Sequence, residues 1–548
     1  MLTPIIGGGI YSPSESEVNY NPLWGHSGWG TDPDVFFYQV MPCSGELSHL
    51  IVTTRGSPGD GKSFTITVYK NGAATELAVT ITGGLWKEEN ITSRISVSAG
   101  DRVCIQCTPS GSPAMYSPKW IVLFKASTAN QGVLLACSEP GVMGILDSAT
   151  TEYAPIATGG QRLGADPTYY YSVVPTGGTF KGARGYLSAA PDPGDSGGYT
   201  FTLYKNGIVT DITFSITGDN TTATVTEDVS FSAGDYLYWK IVPNSPTVAS
   251  YFSVSLIYQP TILNEGMVLG STYDSPHATN NEDNTLTGWA ISTWATSGGI
   301  SSDRENVIWA GTISKLYWRL KTAPGSDNSR ALILFKRTWL DTGVNTDITS
   351  TISNTDLAGN DAVNSVAIVD YDSVRMKTDP TSSPATPYGV FWGLVYIVDA
   401  PYNLYPALAT SRITGIRHVY RPGSYRIEAT YGDVSVSSKL AQRDLDKITV
   451  APGVELPKDT AKELVDAWES IPGYPKDAWE KIPGYPEEPE FDSRLGISAV
   501  PEDAKPLFPA SQISPTGNIF KDMWRQLTPW KEEKGKTFGD WWESLFGG

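Results

Sequence analysis

Along the first 400 positions, apolar and polar residues alternate in short runs that recur in the same order three times. Phe64, Ile66 and Val68 alternate with Thr65, Thr67 and Tyr69 ahead of a Tyr69-Lys70-Asn71-Gly72 corner, and Tyr199, Phe201 and Leu203 do the same ahead of Tyr204-Lys205-Asn206-Gly207. A period of two predicts strands, and Asn-Gly is a strong hairpin corner. Each corner is followed, 30 and 29 positions after its Asn, by Ala99-Gly100-Asp101 or Ala233-Gly234-Asp235 at the start of another alternating run. The two copies lie 135 positions apart. A diverged third copy keeps the order, with a strand over 331–336 and Tyr371-Asp372-Ser373 in place of the Ala-Gly-Asp corner. Pro58-Gly59-Asp60, Pro193-Gly194-Asp195 and Pro324-Gly325-Ser326-Asp327 open the three copies, and apolar strands over 120–124, 252–257 and 390–396 close them.

Many short alternating strands between Gly, Pro, Asn and Asp corners predict an all-β chain of three tandem antiparallel β-sandwiches. Each is jelly-roll-like and about 130 residues long. The boundaries fall at 1–126, 127–260 and 261–400. A small β element follows over 401–453: 425–431 alternates after Pro422-Gly423, and 434–436 can pair back across Gly432-Asp433. Two or three strands are marginal alone, so a neighbouring chain is expected to complete it.

The pattern changes to helical spacing in a Pro- and Trp-rich tail, 454–548. Thr460 and Glu463 form a capping box, and Pro472 stops that helix. An 11-residue repeat carries Trp468 and Tyr474, then Trp479 and Tyr485. Phe520 and Trp524 share a helical face before Pro529 and Trp530, and Trp541, Trp542 and Phe546 form a last stripe. Short helices with aromatic faces need something to bury against. These ten aromatics either pack on the chain's own sandwiches or anchor it to other subunits, the second being the expectation because aromatic anchors dominate interfaces.

Composition narrows the function classes. The 548 residues include 40 Lys and Arg against 58 Asp and Glu, a net charge of −18, which leaves no basic surplus for nucleic acid or an anionic bilayer. No apolar run reaches spanning length, so membrane insertion is not expected. The first residues lack a basic region and a long apolar core, so export by a signal peptide is not expected either. The sequons at Asn90 and Asn220 then read as chance matches.

The four cysteines include a Cys104-x-x-Cys107 pair, but residues three apart on a strand face opposite ways, which argues for core filler over metal or redox chemistry. His26, His49, His277 and His418 are scattered, and nucleophile-elbow, phosphate-loop and zinc-protease motifs are missing. The expectation is a protein that is not an enzyme and needs no cofactor or metal. Calcium at the Asp60, Asp195 and Asp327 loops is the sharper alternative, without the dense acidic spacing of an EF-hand.

Tandem jelly-roll-like units with Tyr-Lys-Asn-Gly and Ala-Gly-Asp corners, low charge and a docking tail resemble virion structural proteins of tailed bacteriophages: tail fibres, baseplate parts and capsid-decorating fibres. That resemblance covers about 1–400 in architecture and implies other virion subunits as partners, self-association with a trimer favoured, and assembly into a virion in the host cytoplasm. The alternative is a carbohydrate-binding adhesion or receptor-binding protein, with Trp24, Trp29, Tyr169, Tyr170 and Tyr171 stacking on a host-surface glycan.

Overall fold

The computed structural model describes residues 1–399 apart from 10, 55, 115, 139–143, 162, 247, 273–274, 290–293, 297–305, 338–342, 370–371 and 386–388. Beyond these it describes 413–421, 424–431, 434–437, 491–492 and 497–498. Met1–Ala400 forms one compact unit and Pro401–Gly548 a second.

The first third of the large unit holds β1 (Leu2–Gly9), β2 (Asn19–Asn21), β3 (Gly25–Ser27), β4 (Gln39–Val40), β5 (Gly45–Thr53), β6 (Gly59–Lys70), β7 (Ala73–Gly83), β8 (Lys87–Val97), β9 (Arg102–Ser110) and β10 (Lys119–Ala126). They form two sheets, β3-β1-β10-β5-β8 and β2-β9-β6-β7, with β4 also on β9. With β3 and β4 set aside, this is the jelly roll: two four-stranded sheets, with the chain crossing from one to the other at every connection but the β6–β7 hairpin.

The second third repeats it with β11 (Gly132–Ser138), β12 (Glu152–Ala154), β13 (Thr158–Gln161), β14 (Ser172–Val173), β15 (Gly178–Leu187), β16 (Gly198–Lys205), β17 (Ile208–Thr217), β18 (Thr222–Val225), β19 (Val229–Phe231), β20 (Tyr236–Asn244) and β21 (Phe252–Pro260). The last third has β22 (Gly266–Thr272), β23 (Glu282–Thr285), β24 (Gly288–Trp289), β25 (Ala295–Thr296), β26 (Asn306–Val307), β27 (Gly311–Leu320), β28 (Gly325–Arg337), β29 (Val344–Asn354), β30 (Ala358–Ile368), β31 (Ser373–Thr381) and β32 (Val390–Val398). Strand order corresponds sheet for sheet, and in every copy one short strand runs parallel to the first: β3 to β1, β13 to β11, β24 to β22.

The corners that announced the repeat meet in space. Asn71 and Asn206 adopt φ of 50° and 52°, the left-handed conformation that Asn tolerates at a hairpin corner. Asn71 Nδ2 donates to Asp101 Oδ1 (2.7 Å), Asn71 Oδ1 accepts from the Arg102 N–H (2.8 Å), and Asp101 Oδ2 accepts from the Ser98 N–H (2.8 Å). Asn206, Asp235, Tyr236 and Ser232 repeat this at 2.7, 3.0 and 2.9 Å. The third copy has Arg337 in the Asn position, and Asp372 is held by the Val369 N–H (3.0 Å) and the Lys336 ammonium (3.4 Å). Partial burial works to raise the Asp101 pKa, but the Ser98 N–H, the Asn71 amide and Lys70 bring it below the usual carboxylate value.

Burial shows how the jelly rolls are arranged. β10 is buried along nearly its whole length, and β11 and β22 throughout, so both faces of their sheets are covered. On β1 and β10, Ile5, Val122 and Phe124 join a core shared with jelly roll 2, while Ile6, Ile121 and Leu123 join a core built mainly from jelly roll 3.

In the second unit, Ile413–Arg421, Ser424–Tyr431 and Val434–Ser437 form an antiparallel meander, in which Tyr431 pairs with Val434. Phe491–Asp492 pairs with Ile497–Ser498. Most of the tail lies outside the described residues.

Candidate functional site

The places where jelly rolls meet are built from one repeated device. The two-residue strand β4 docks on β11, β21 and β15 of jelly roll 2; β14 docks on β22, β32 and β27 of jelly roll 3; β26 docks on β1, β10 and β5 of jelly roll 1. The cycle closes, so the three jelly rolls form a ring. At its centre β3, β13 and β24 touch one another. Gly25 has φ of 90°, and a Cβ there would fall 2.0 Å from the Gly159 nitrogen, so the backbones at the axis approach more closely than a side chain allows.

The three joints use different chemistry at corresponding positions. In joint 1–2 the Val40 N–H donates to Ser253 Oγ (2.9 Å), and Ser255 Oγ donates to the Val40 carbonyl (2.6 Å). Buried Gln39 donates to the Trp24 carbonyl (3.1 Å) and the Thr158 carbonyl (3.3 Å). In joint 2–3, Gly393 takes the place of Ser255 beside the Val173 carbonyl, and Phe391 that of Ser253, against Tyr171 (5.4 Å between rings). In joint 3–1, Ile121 and Leu123 share a core with Ile308 and Trp309.

Cations brace these joints. Arg102 lies over Tyr38 (4.7 Å) and over Tyr186 of jelly roll 2 (5.2 Å), donates to the Tyr186 hydroxyl (2.8 Å) and pairs with Asp34 (3.0 Å). Arg319 of jelly roll 3 lies over Tyr236 (4.6 Å) and Tyr171 (5.7 Å) of jelly roll 2. Lys321 sits 2.9 Å above the Tyr169 ring and pairs with Asp166 (2.9 Å).

A β-bulge recurs in the strand that faces each joint. Its extra residue is His49, Gly182 or Lys315, each with positive φ. Lys315 pairs with Glu265, which also accepts from Thr176 of jelly roll 2. His49 is 3% exposed and meets the Trp309 ring edge-on at 5.2 Å. Burial, aided by Arg94 and opposed by Glu46, depresses its pKa to about 4.

The structure corrects the reading of the glycan-stacking candidates. Trp24 is fully buried, with its backbone N–H donating to Gln39 Oε1 (2.7 Å), and Tyr170 is buried too, so neither presents a face to a sugar. Tyr169 is covered by Lys321, and Tyr171 packs among Tyr236, Tyr238 and Phe391. Trp29 donates to the Tyr11 carbonyl (2.9 Å) and meets Trp120 edge-on. Trp24 and Tyr170 therefore serve the interior, and Tyr169 and Tyr171 serve joint 2–3, since a large ring gains most where water is excluded. The anchor candidates Trp468, Tyr474, Trp479, Tyr485, Phe520, Trp524, Trp530, Trp541, Trp542 and Phe546 lie outside the described residues.

Arg102, Tyr38, Tyr186 and Arg319 escaped the sequence reading, which counted His49 among the scattered histidines and gave it no role. Tyr38 and Tyr171 stand at corresponding places one repeat apart, and that coincidence was the available signal. Cys104 and Cys107 fall in separate clusters, Cys104 with Tyr20, Phe37 and Tyr38, and Cys107 in the main core. Burial pushes both of these thiols well above the usual value, and it raises the Cys43 thiol to about 11. Among the described residues no group of three His, Cys, Asp or Glu is placed to hold a metal ion.

A closed ring of three jelly rolls is thus the class of head this chain carries. No protein-family description matches it, and no curated protein matches it. Among solved structures it is similar to PNGF-II, at 9% identity over 41% of this chain and 58% of that one, with a TM-score of 0.17. It is also similar to a structure described as the triple jelly roll fold and turret assembly in an archaeal virus, at 11% identity over 65% of this chain and 79% of that one, TM-score 0.15. Similarities this slight leave the strand ladders of the chain itself as the basis for its fold.

Proposed function

We propose that the chain is a non-enzymatic structural protein of a virus particle, of the tailed-phage kind its repeats resemble, assembled in the host cytoplasm. The observation that supports this is the closed ring. Three jelly rolls about one axis give a head with three related outward faces, a form suited to threefold or near-threefold positions in a symmetric assembly. Buried surface is spent on joining the jelly rolls to one another, and the conspicuous aromatics serve mainly that end. Because one chain already carries three jelly rolls, the reading requires incorporation into a particle and does not require the chain to trimerise by itself.

In this proposal the tail aromatics, from Trp468 to Phe546, attach the chain to other virion subunits. Removing 451–548 is expected to leave the thermal melting of the head unchanged and to abolish co-sedimentation with particles purified from the producing cell. A truncated chain recovered in particles at the level of the full chain would sink the anchor role.

A further inference from the structure

The strand registers give the ring two distinct ends. A Cβ at Gly132, where β11 begins, would fall 2.5 Å from Met1 Cε, and one at Gly266, where β22 begins, would fall 3.0 Å from Pro4 Cδ, so the first strands of the three jelly rolls start together. Leu2 pairs with Lys125, Gly132 with Tyr258 and Gly266 with Tyr396, which brings the closing strands β10, β21 and β32 to their last residues at this same end. The chain therefore leaves the ring here, after Val398, on its way to Gly548. The Asn71–Asp101 and Asn206–Asp235 corners and Asp372 belong to this end as well. Val97 pairs with Gly45 beside Ala126, Phe231 with Gly178 beside Pro260, and Ile368 with Gly311 beside Val398.

The two ends differ in chemistry. At the exit end each corner aspartate is met by a lysine of its own jelly roll: Asp101 by Lys70 (3.7 Å), Asp235 by Lys205 (3.9 Å) and Asp372 by Lys336 (3.4 Å). The same lysines donate to the carbonyls of Ser96, Ser230 and Ala367 at 2.9, 2.7 and 3.1 Å, so these repeated charges are balanced within the ring. Among them stand exposed aliphatic side chains: Ile208 and Val209 on the second hairpin, Val344 on the third, Val369 at the third corner, and Ile262 and Leu263 in the connection between jelly rolls 2 and 3. At the far end, where β6, β16 and β28 begin, Asp60, Asp195, Asp219, Asp327 and Asp356 are exposed and carry no ion pair among the described residues. Carboxylates left without partners are stable only in water, whereas paired charges and bare aliphatic groups suit burial against another apolar surface.

We propose that the exit end is the face the ring sets against an uncharged, apolar protein surface of the particle, with the acidic end turned outward. This rests on the reading of the tail as the attachment to other virion subunits, and it adds a second contact made by the ring itself. The exit of the chain supports it, since a segment bound to the particle holds closest the end it departs from. The test is maleimide labelling of single cysteines in the full chain, Ala129→Cys at the exit end and Ser196→Cys at the acidic end, both exposed positions. The native cysteines are buried or half-buried, and the parent chain gives their background. In purified particles Ala129→Cys is expected to react about tenfold or more slowly than in the free chain, and Ser196→Cys at its free rate. Leu263→Asp is expected to lower recovery in particles by about tenfold, and Leu85→Asp, at the acidic end, to leave it unchanged. Equal reactivity of the two cysteines in particles, or unchanged recovery of Leu263→Asp, overturns the proposal and leaves the virion reading standing. Absence of the parent chain from particles removes both. Slow reaction of Ala129→Cys already in the free chain means that this chain or its copies cover the face, and overturns the proposal too.

Discussion

At the scale of single residues, the Asn71–Asp101 pair shows how a repeat motif becomes a fastening. Two corners 30 positions apart are tied through one amide and one carboxylate, which also hold the Arg102 and Ser98 N–H groups. Replacing Asn71 by Ala strands these partners and imposes the left-handed φ on a residue that disfavours it. The expected cost is about 1–3 kcal/mol, read as a lower urea midpoint with unchanged slope. The lowered Asp101 pKa carries a sign of its own. Its contribution is fully present above the ordinary carboxylate value and is lost as pH falls through the folded value, so the variant should lose its disadvantage in strong acid. These corners were legible as turns from Asn-Gly and Ala-Gly-Asp alone. That they bond to each other was not, because the repeat spacing reports sequence distance and says nothing of which corners share an end of the sandwich.

At the scale of elements, the bulges and short docking strands decide which jelly roll meets which. His49 shows what a bulge can do by pointing a titratable ring into an otherwise apolar joint against Trp309. A buried base with its pKa depressed to about 4 stabilises the fold fully above the ordinary histidine value near 6.5 and less as pH falls toward 4. The loss at the acid end is on the order of 3 kcal/mol. His49→Asn, which tolerates the positive φ, is expected to flatten the dependence of unfolding free energy on pH between 6.5 and 4. An unaltered slope would mean another group is responsible. The docking strands β4, β14 and β26 are two residues long and carry no periodicity, so alternation could not announce them. The strands they dock on did leave a trace: runs such as Ile121-Val122-Leu123-Phe124 are apolar without a break, the pattern of a sheet covered on both faces. The misplaced candidates follow from the same ambiguity, since an aromatic cluster in a loop looks alike whether it faces water or a neighbouring sheet.

At the scale of the whole molecule, the ring makes the three jelly rolls interdependent. Jelly roll 1 turns Ile6, Ile51, Ile121 and Leu123 away from its own core and into the one shared with jelly roll 3. Expressed alone, residues 1–126 would expose that apolar face and are expected to aggregate or self-associate on size-exclusion chromatography. Residues 1–400 should elute as one compact species. A monomeric, fully soluble 1–126 fragment would show that the joint contributes little. The differences among the joints, serines on a backbone strand, a glycine and a phenylalanine, or isoleucine and leucine, also fix the order of the ring, because exchanging two jelly rolls would set polar groups against apolar ones without partners.

Ring closure also sets a timetable for the growing chain. The face that jelly roll 1 keeps for jelly roll 3 is complete once residue 126 has left the ribosome, yet its cover includes β32, which ends at Val398. At roughly 5–20 residues per second, that face waits on the order of tens of seconds for its partner. During that interval the nascent chain is a half-built ring with an open apolar wall, and on crowded polysomes the nearest available cover is the same wall of another copy. Yield should therefore respond to translation speed and chaperone supply more than the stability of the finished head would suggest.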